Sequence, residues 1–257
     1  MLYAERRLWR IFVLLLTIAE VMFRFLGLLL RTRFHPSICE RAAWLHHTCS
    51  LALRRLNIHW STQGPLPVNG LIVANHLSYL DILMFSAALP CVFVSKLEVV
   101  NWPIFGRLAR MGGTIFINRR RSVETLQAGE AMEAALQQNI PVILFPEGSS
   151  SDGTAVLPFY PALFEPAVRL AMNVTPARIR YAVEGGTVEN DVCYWGEMTL
   201  VPHLFKLFSK RKITSCICFS SHPEIYRDRK EAAMATREEI LKMNENQKSP
   251  VEFDCAP

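Results

Sequence analysis

The sequence has no CxxC pair, no cysteine–histidine spacing typical of a metal site and no internal repeat. Its seven cysteines are an odd number, and most of them lie inside apolar runs. These absences argue against a zinc module, a disulfide framework and a repeat protein. We therefore expect reduced thiols that serve as small core residues, which is typical of a domain on the cytosolic side of a membrane.

The N-terminus also lacks a charge-free apolar run long enough to cross a bilayer. Its longest such stretch, Ile11 to Ala19, is far short of the roughly 20 residues that a transmembrane helix needs. Glu20 and Arg24 follow where a secretory signal would carry small residues for cleavage, which argues against such a signal. Two interpretations remain: a helix or helix pair lying in one leaflet, which we favour, or a tilted span whose Arg10 and Arg24 reach the headgroups.

The net charge of +5 is unevenly distributed along the chain. Residues 1–33 hold six Arg against two Glu, a net charge of +4 on the most apolar part of the sequence. Basic residues beside Leu, Phe and Val suit an anionic membrane surface, where each contributes about 1 kcal/mol of attraction. A basic tail for nucleic acid is not packed with such residues. We expect membrane lipids as partners and no nucleic acid.

From residue 70 onward, short apolar runs alternate with helical stretches. The runs are Gly70–Ala74, Cys91–Ser95, Thr114–Ile117, Pro141–Phe145, Val174–Ala182 and Ile213–Phe219. The helical stretches include Arg41–Leu56, Asp81–Leu89, Ser122–Gln138, Pro161–Met172 and Arg229–Met243. Nearly continuous Val, Ile and Phe predict strands buried on both faces, so we expect an α/β fold with a mostly parallel sheet flanked by helices.

Composition divides the chain into three parts: an apolar, basic helical segment that docks on a membrane (1–58), an α/β domain (59–245) and a polar tail (246–257). The stretch Thr62 to Pro67 is a linker by composition. In an α/β domain the functional loops gather at the carboxyl ends of the strands. Three motifs of this sequence fall at such ends.

The first motif is Asn75-His76-Leu77-Ser78-Tyr79-Leu80-Asp81, directly after a predicted strand. His76 and Asp81 meet only if His76 lies in the strand-to-helix turn and Asp81 in the first turn of the helix, which Ser78 is able to cap. Asp81 would then bond one ring nitrogen of His76 and leave the other as a general base. Taken alone, a structural histidine in a turn explains the pair equally well.

The second motif, Phe145-Pro146-Glu147-Gly148-Ser149-Ser150-Ser151-Asp152-Gly153, also follows a predicted strand. It gives a turn with exposed backbone N–H groups, hydroxyls and a carboxylate, although an ordinary Ser/Gly surface loop reads the same way. A serine hydrolase is the rival interpretation. The nucleophile elbow GxSxG is not met, because Asp152 stands where its final glycine belongs.

The third motif places Arg119, Arg120 and Arg121 just after the run Thr114–Ile117. Three guanidinium groups at the end of a strand form an anion site or a solvated basic turn.

Together and in this order, these segments resemble the glycerolipid acyltransferase family, whose best-known members make phosphatidic acid from 1-acylglycerol 3-phosphate. His76 and Asp81 match its HxxxxD block, and Ile115–Arg119 resembles its second block. Phe145–Gly148 resembles its third block, and Val174–Ala177 loosely its fourth. The resemblance covers roughly residues 60 to 225.

The resemblance implies His76 as general base, oriented by Asp81. It implies contact of Arg119 with the polar head of the acceptor, and of Glu147 and Gly148 with its glycerol-like part. Lys96, in the segment between the first two blocks, and Ser149, beside Gly148, join the expected substrate-binding residues. The implied donor is acyl-CoA or acyl carrier protein, with no metal, no other cofactor and no covalent enzyme intermediate, at the cytoplasmic face of the membrane.

Two departures from the family pattern bear on the acceptor. The third block usually continues Thr-Arg-Ser, with an Arg thought to bind phosphate, and here it reads Ser149-Ser150-Ser151. The second block usually has Asp before its Arg, and here that residue is Asn118. Either Arg120 or Arg121 replaces the missing Arg, or the acceptor has no phosphate monoester, as in lyso-ornithine lipid acyltransferases.

Overall fold

The computed structural model describes residues 3–118 and 122–245. The strands are β1 (Ile58–Gln63), β2 (Leu71–Ala74), β3 (Val92–Lys96), β4 (Ile115–Ile117), β5 (Val142–Leu144), β6 (Val174–Glu184) and β7 (Lys212–Phe219). The helices are α1 (Tyr3–Arg31), α2 (Ile38–Arg55), α3 (Leu80–Ala88), α4 (Phe105–Met111), α5 (Ser122–Gln137), α6 (Glu165–Arg169), α7 (Val188–Asp191), α8 (Leu200–Phe208) and α9 (Arg229–Glu245). Short 3-10 helices span Leu97–Asn101 and Pro161–Phe164.

The strands form one sheet in the order β1-β7-β6-β2-β5-β3-β4. Neighbouring strands run parallel except β6 and β7, which are antiparallel. All four residues of the central strand β2 are fully buried, and they point alternately to the two faces of the sheet. This confirms the predicted mostly parallel sheet, whose apolar runs are continuous because helices cover both faces.

The sheet separates two hydrophobic cores. One core contains Phe85 of α3 and Phe208 of α8, together with residues of α1 and α2. The other contains Met132 and Leu136 of α5, together with residues of α6 and α9. The fold is therefore a three-layer sandwich.

Strand β1 was not predicted. Its sequence, Ile-His-Trp-Ser-Thr-Gln, has no continuous apolar run, because it is an edge strand with one buried residue, Ile58. It pairs in parallel with β7, from Ile58 opposite Ile213 to Gln63 opposite Cys218. The linker predicted from Thr62 therefore begins two residues too early.

The helix predicted over Pro161–Met172 is wrong in its extent. A 3-10 turn covers Pro161–Phe164, and α6 ends at Arg169. Pro166 favours the first turn of an α-helix, and the backbone of Ala171 has a positive φ of 50°, which ends it.

The N-terminal segment contains α1, one continuous helix of 29 residues. By length and composition alone, Ala4–Arg31 is able to cross a membrane, although core helices and signal sequences satisfy the same criterion. One side of α1 packs on the domain: Phe25 lies edge-on to Trp44 of α2, with ring centroids 4.9 Å apart. Helices α1 and α2 thus share a core with the sheet, so the division at residue 58 is one of composition. The tail 246–257 lies outside the described residues.

Some charges of α1 are bonded within the protein, whereas Arg7, Arg24 and Arg31 are exposed. Arg10 is buried, and its guanidinium donates to the carbonyl of Lys210, 2.8 Å away. Glu20 accepts from Arg24 within α1 and from Arg55 of α2, at 2.6 Å in both ion pairs. The expected headgroup position is therefore wrong for Arg10, because the protein itself supplies its partners.

Five of the six described cysteines are buried, and all six are free thiols, as expected for small core residues.

Candidate active site

The candidate site lies at the carboxyl end of β2, where a turn leads into α3. His76 sits in this turn and Asp81 in the first turn of α3, as the spacing requires. The Nδ1 atom of His76 lies 2.8 Å from Oδ2 of Asp81. The Asp81 side chain is fully buried, whereas the His76 side chain is 20% exposed. With Nδ1 engaged, Nε2 is the ring nitrogen that can exchange a proton.

The carboxylate of Asp81 also organises the turn. Its Oδ2 atom accepts from the backbone N–H groups of Leu77, at 2.7 Å, and Ser78, at 3.0 Å. Its Oδ1 atom accepts from the hydroxyl of Tyr181, at 2.6 Å. The expected capping by Ser78 does not occur: Tyr79 is the N-cap residue without a side-chain bond, and Asp81 instead bonds N–H groups of the turn that precedes the helix.

The imidazole of His76 is also fixed from its face. It stacks on the ring of Phe145, with centroids 4.3 Å apart and planes 15° from parallel. Phe145 directly follows β5, the strand beside β2. The first and third sequence blocks therefore meet because their strands are adjacent.

Glu147 holds the backbone of this site with both carboxylate oxygens. Oε1 accepts from the N–H of His76 at 2.7 Å, and Oε2 accepts from the N–H of Leu157 at 2.8 Å. The His76 carbonyl in turn accepts from the N–H of Ser151 at 3.0 Å. Burial raises the pKa of Glu147, partly offset by these bonds to Leu157 and His76. This geometry gives Glu147 a positioning role, and its expected contact with the acceptor stays a prediction.

A cavity of about 240 Å³ opens in front of His76. Three of the expected substrate-binding residues, Lys96, Gly148 and Ser149, line it. Phe145 and Trp102 add apolar surface. The site thus combines a base, backbone turns and an apolar wall in one concave surface.

A second, apolar cavity of about 150 Å³ adjoins the first. The two share Tyr79, Ile82 and Trp102 among their lining residues. The second cavity continues between α1 and α2, where Val21 and Trp44 line it. Apolar and aromatic side chains therefore form a common wall between the cavity at His76 and the cavity beside the N-terminal helices.

An aromatic cluster beside the cavity was not anticipated from the sequence. Tyr79 bonds Nδ1 of His203 at 3.0 Å, and Tyr194 packs on both rings. Burial raises the pKa of Tyr79 and lowers the pKa of His203. His203 lies on α8, far from the motifs, and a lone histidine in an apolar helix carries no signal that would have found it.

The serine-hydrolase interpretation finds no support in the geometry. The Ser150 hydroxyl donates to the carbonyl of Tyr194, and the Ser151 hydroxyl faces the carbonyl of His76. Within residues 3–118 and 122–245, no serine hydroxyl is bonded to the His76 ring. Nucleophilic catalysis needs that contact.

The arginine motif is only partly placed. Asn118 directly follows β4. Arg119, Arg120 and Arg121 lie outside the described residues, so the expected contact of Arg119 with the acceptor stays a prediction. Among the described residues no cluster of three His, Cys, Asp or Glu side chains is able to hold a metal ion.

Comparisons with known proteins identify the class. Residues 55–180 match the family model described as Acyltransferase. In fold, the chain is similar to the crystal structure of the 1-acyl-sn-glycerophosphate acyltransferase of Thermotoga maritima, with a TM-score of 0.69 and 18% identity, over 96% of this chain and 97% of that one. The likeness to this structure shows the fold, and the family match identifies the class as an acyltransferase.

Curated relatives of similar sequence are also named as acyltransferases. The 1-acyl-sn-glycerol-3-phosphate acyltransferase of Neisseria gonorrhoeae is 36% identical, over 65% of this chain and 67% of that protein. The lyso-ornithine lipid O-acyltransferase of Rhodobacter capsulatus is 34% identical, over 63% of this chain and 60% of that protein. The lyso-ornithine lipid O-acyltransferase of Rhizobium meliloti is 31% identical, over 78% of this chain and 73% of that protein. The chain belongs to the glycerolipid acyltransferase family.

Proposed function

We propose that the protein transfers a fatty acyl chain from acyl-CoA or acyl carrier protein to the hydroxyl of a lysolipid, with 1-acylglycerol 3-phosphate as acceptor and phosphatidic acid as product. The observation that carries this proposal is the 2.8 Å contact between His76 and Asp81 at a cavity that shares a wall with an apolar one. A relative with the same named activity supports the acceptor.

The reaction follows from the dyad. Nε2 of His76 removes the proton of the acceptor hydroxyl while the oxygen attacks the thioester carbonyl. Asp81 stabilises the imidazolium that forms. The tetrahedral intermediate then breaks its C–S bond, and the leaving thiolate takes the proton from Nε2. His76 and Asp81 return to their initial protonation states, and no acyl-enzyme forms.

The apolar cavity between α1 and α2 is suited to an acyl chain. Its lining is almost wholly apolar, and it adjoins the site where the thioester carbonyl must lie. A methylene chain leaving water gains about 0.8 kcal/mol for each buried CH₂ group. Burial of the chain therefore supplies affinity for the lipid substrate.

The outer side of α1 is suited to a membrane surface. Large apolar side chains such as Phe23, Trp9 and Leu30 are more than half exposed on it. Contacts of Arg10 with Lys210 and of Phe25 with Trp44 hold α1 against the domain. A helix that crosses the bilayer would have to give up these contacts, which favours α1 lying in one leaflet, with the site at the cytoplasmic face.

A lyso-ornithine lipid is the second candidate acceptor. Ser149, Ser150 and Ser151 stand where the family's phosphate-binding Arg is expected, and Ser149 lines the cavity. Two of the relatives named above are lyso-ornithine lipid acyltransferases. An acceptor without a phosphate monoester needs no guanidinium there.

A competition assay separates the two acceptors. Purified full-length protein in detergent receives 1-acylglycerol 3-phosphate and lyso-ornithine lipid together, with acyl-CoA or acyl carrier protein as donor, and products are read by mass spectrometry. Phosphatidic acid as main product supports the first acceptor, and diacylated ornithine lipid supports the second. Free fatty acid with fluorophosphonate labelling, and no acyl transfer, would overturn both.

A further inference from the structure

We propose that Tyr181 is a positioning residue of acyl transfer, which acts through Asp81 on His76. The inference rests on the proposed role of His76 as base. Tyr181 lies outside the motifs that the sequence singled out, and its hydroxyl is 2.6 Å from Oδ1 of Asp81.

The register of the sheet places Tyr181 beneath the site. Strand β6 runs parallel to β2 and continues past its end, since Ala177 is the partner of the last β2 residue, Ala74. Asn75 then bonds both backbone groups of Ile179, at 2.9 Å and 3.1 Å. Tyr181 lies two residues further on, so its side chain projects from the same face as that of Ile179. The position of the hydroxyl is thus set by backbone pairing.

The contact completes the coordination of a fully buried carboxylate. Oδ2 of Asp81 is shared by the ring of His76 and by two backbone N–H groups, whereas Tyr181 is the donor that the described structure gives to Oδ1. Asp81 is 0% exposed and Tyr181 is 9% exposed. A buried carboxylate oxygen without a donor is costly, so loss of the hydroxyl would favour rotation of the Asp81 carboxylate.

The surroundings keep the hydroxyl a donor. Burial, followed by the charge of Asp81, raises the pKa of Tyr181 well above its ordinary value. Besides His76, the titratable groups that interact with this pair include Cys193, after α7, and Glu147, after β5. Burial raises the pKa of Cys193 to about 12, so the thiol stays neutral at working pH.

The consequence for catalysis has two parts. Holding Oδ1 fixes the plane of the carboxylate and with it the direction of the His76 ring. A strong donor also withdraws negative charge from the carboxylate, which then stabilises the imidazolium less. Without the donor, His76 would be held less firmly and would stay protonated to higher pH.

The test is Tyr181→Phe in the full-length protein, with Tyr226→Phe as matched control. Tyr226 is also buried, but its hydroxyl bonds Glu224, which pairs with the start of β6 at its opposite end. We expect kcat to fall about tenfold for the loss of a hydrogen bond to a charged group, with KM unchanged. The midpoint of the acid limb of the kcat/KM profile should move to higher pH. Tyr226→Phe should leave both unchanged.

A double-mutant cycle shows whether Tyr181 acts through Asp81. In the Asp81→Asn background, Tyr181→Phe should cost less than about twofold, because the shared interaction is already lost. An unmoved pH profile, or equal costs in both backgrounds, would show a merely structural role and overturn the inference. If the wild type transfers no acyl chain to any acceptor, the proposed function itself fails, which is a separate outcome.

Discussion

Arg10 of α1 closes the C-terminal end of α8: its guanidinium lies 2.8 Å from the carbonyl of Lys210 and within 3.5 Å of the carbonyls of Phe208 and Arg211. The last carbonyls of a helix have no partners within the helix and carry the negative end of its dipole. Burial lowers the pKa of Arg10, and the nearby charge of Arg6 lowers it further, because both disfavour the charged guanidinium. The three carbonyls accept hydrogen bonds from the guanidinium and so offset part of the cost of burying its charge. The contact joins two segments that are 200 residues apart in the sequence.

We expect Arg10→Met to destabilise the protein by about 1–3 kcal/mol, because buried carbonyls lose their donor. Thermal unfolding in detergent measures the effect. Arg7→Met is the control on the same helix, since Arg7 is exposed. Equal melting temperatures for the two variants would contradict the structural role of Arg10.

His76→Ala should lower kcat by about 10² to 10⁴, the usual contribution of a general base, and leave folding and membrane binding intact. The control is His222→Ala, an exposed histidine far along the chain. Mass spectrometry measures acyl transfer, and circular dichroism shows whether the variant is folded. Full activity of His76→Ala would refute the assignment of the base.

Glu147 should make stability depend on pH in an unusual direction. Its pKa is raised by burial from an ordinary 4.5, so the folded state binds the proton more tightly than the unfolded state does. The stability that Glu147 contributes is therefore present below the unfolded pKa and declines as pH rises through the folded pKa. Relative to Glu147→Gln, the wild type should lose stability between acidic and neutral pH.

Glu40 is the control, because its contribution to stability should change with pH in the opposite direction. Ser37 lowers the pKa of Glu40 by bonding its carboxylate in the capping box of α2. Relative to Glu40→Gln, the wild type should gain stability as pH rises, because the contribution of a depressed carboxyl is lost in acid. Melting temperatures across the same pH range test both variants, and slopes of equal sign would disprove the burial effect at Glu147.

Filling the apolar cavity should change the preferred acyl chain. Ala109 is half-buried and lines this cavity, so Ala109→Leu leaves less room for a long chain. We expect kcat/KM to fall for long-chain donors and to hold for short ones. Ala134→Leu, on the exposed side of α5, should leave the chain-length profile unchanged. An unchanged profile for Ala109→Leu would show that the acyl chain binds elsewhere.

Membrane binding should depend on the outer side of α1. Phe23 is 76% exposed on this side, and Phe23→Glu should weaken flotation with anionic vesicles. Met234, on α9 in the opposite layer, is 68% exposed, so Met234→Glu is a matched control. Equal loss of binding in the two variants would argue against docking through α1.

The sequence predicted most of the sheet, because strands buried on both faces are continuous runs of Val, Ile and Phe. It did not predict β1, because an edge strand with polar residues has no such run. It placed His76 and Asp81 correctly because both belong to one local turn. Tyr181 and His203 were missed, since each joins the site by long-range packing, which leaves no local pattern.

The contacts of Glu147 could not be predicted from the sequence for a different reason. Its position beside the site followed from the strand that precedes it, yet its partners are backbone N–H groups. Backbone groups are the same in every residue, so no sequence pattern announces which carboxylate will bond them. The arginine motif lies outside the described residues, and its role rests on resemblance.

The shared core of α1, α2 and the sheet bears on how the enzyme can be handled. Val21, Phe25, Trp44 and Leu53 are buried against the same cluster as Phe85. A chain cut at residue 58 would expose that whole surface to solvent, and it would also open the apolar cavity, whose wall includes Val21 and Trp44. Trimming the chain at residue 58 would therefore leave a domain with an exposed apolar face and an opened cavity, so α1 and α2 belong to the folded acyltransferase.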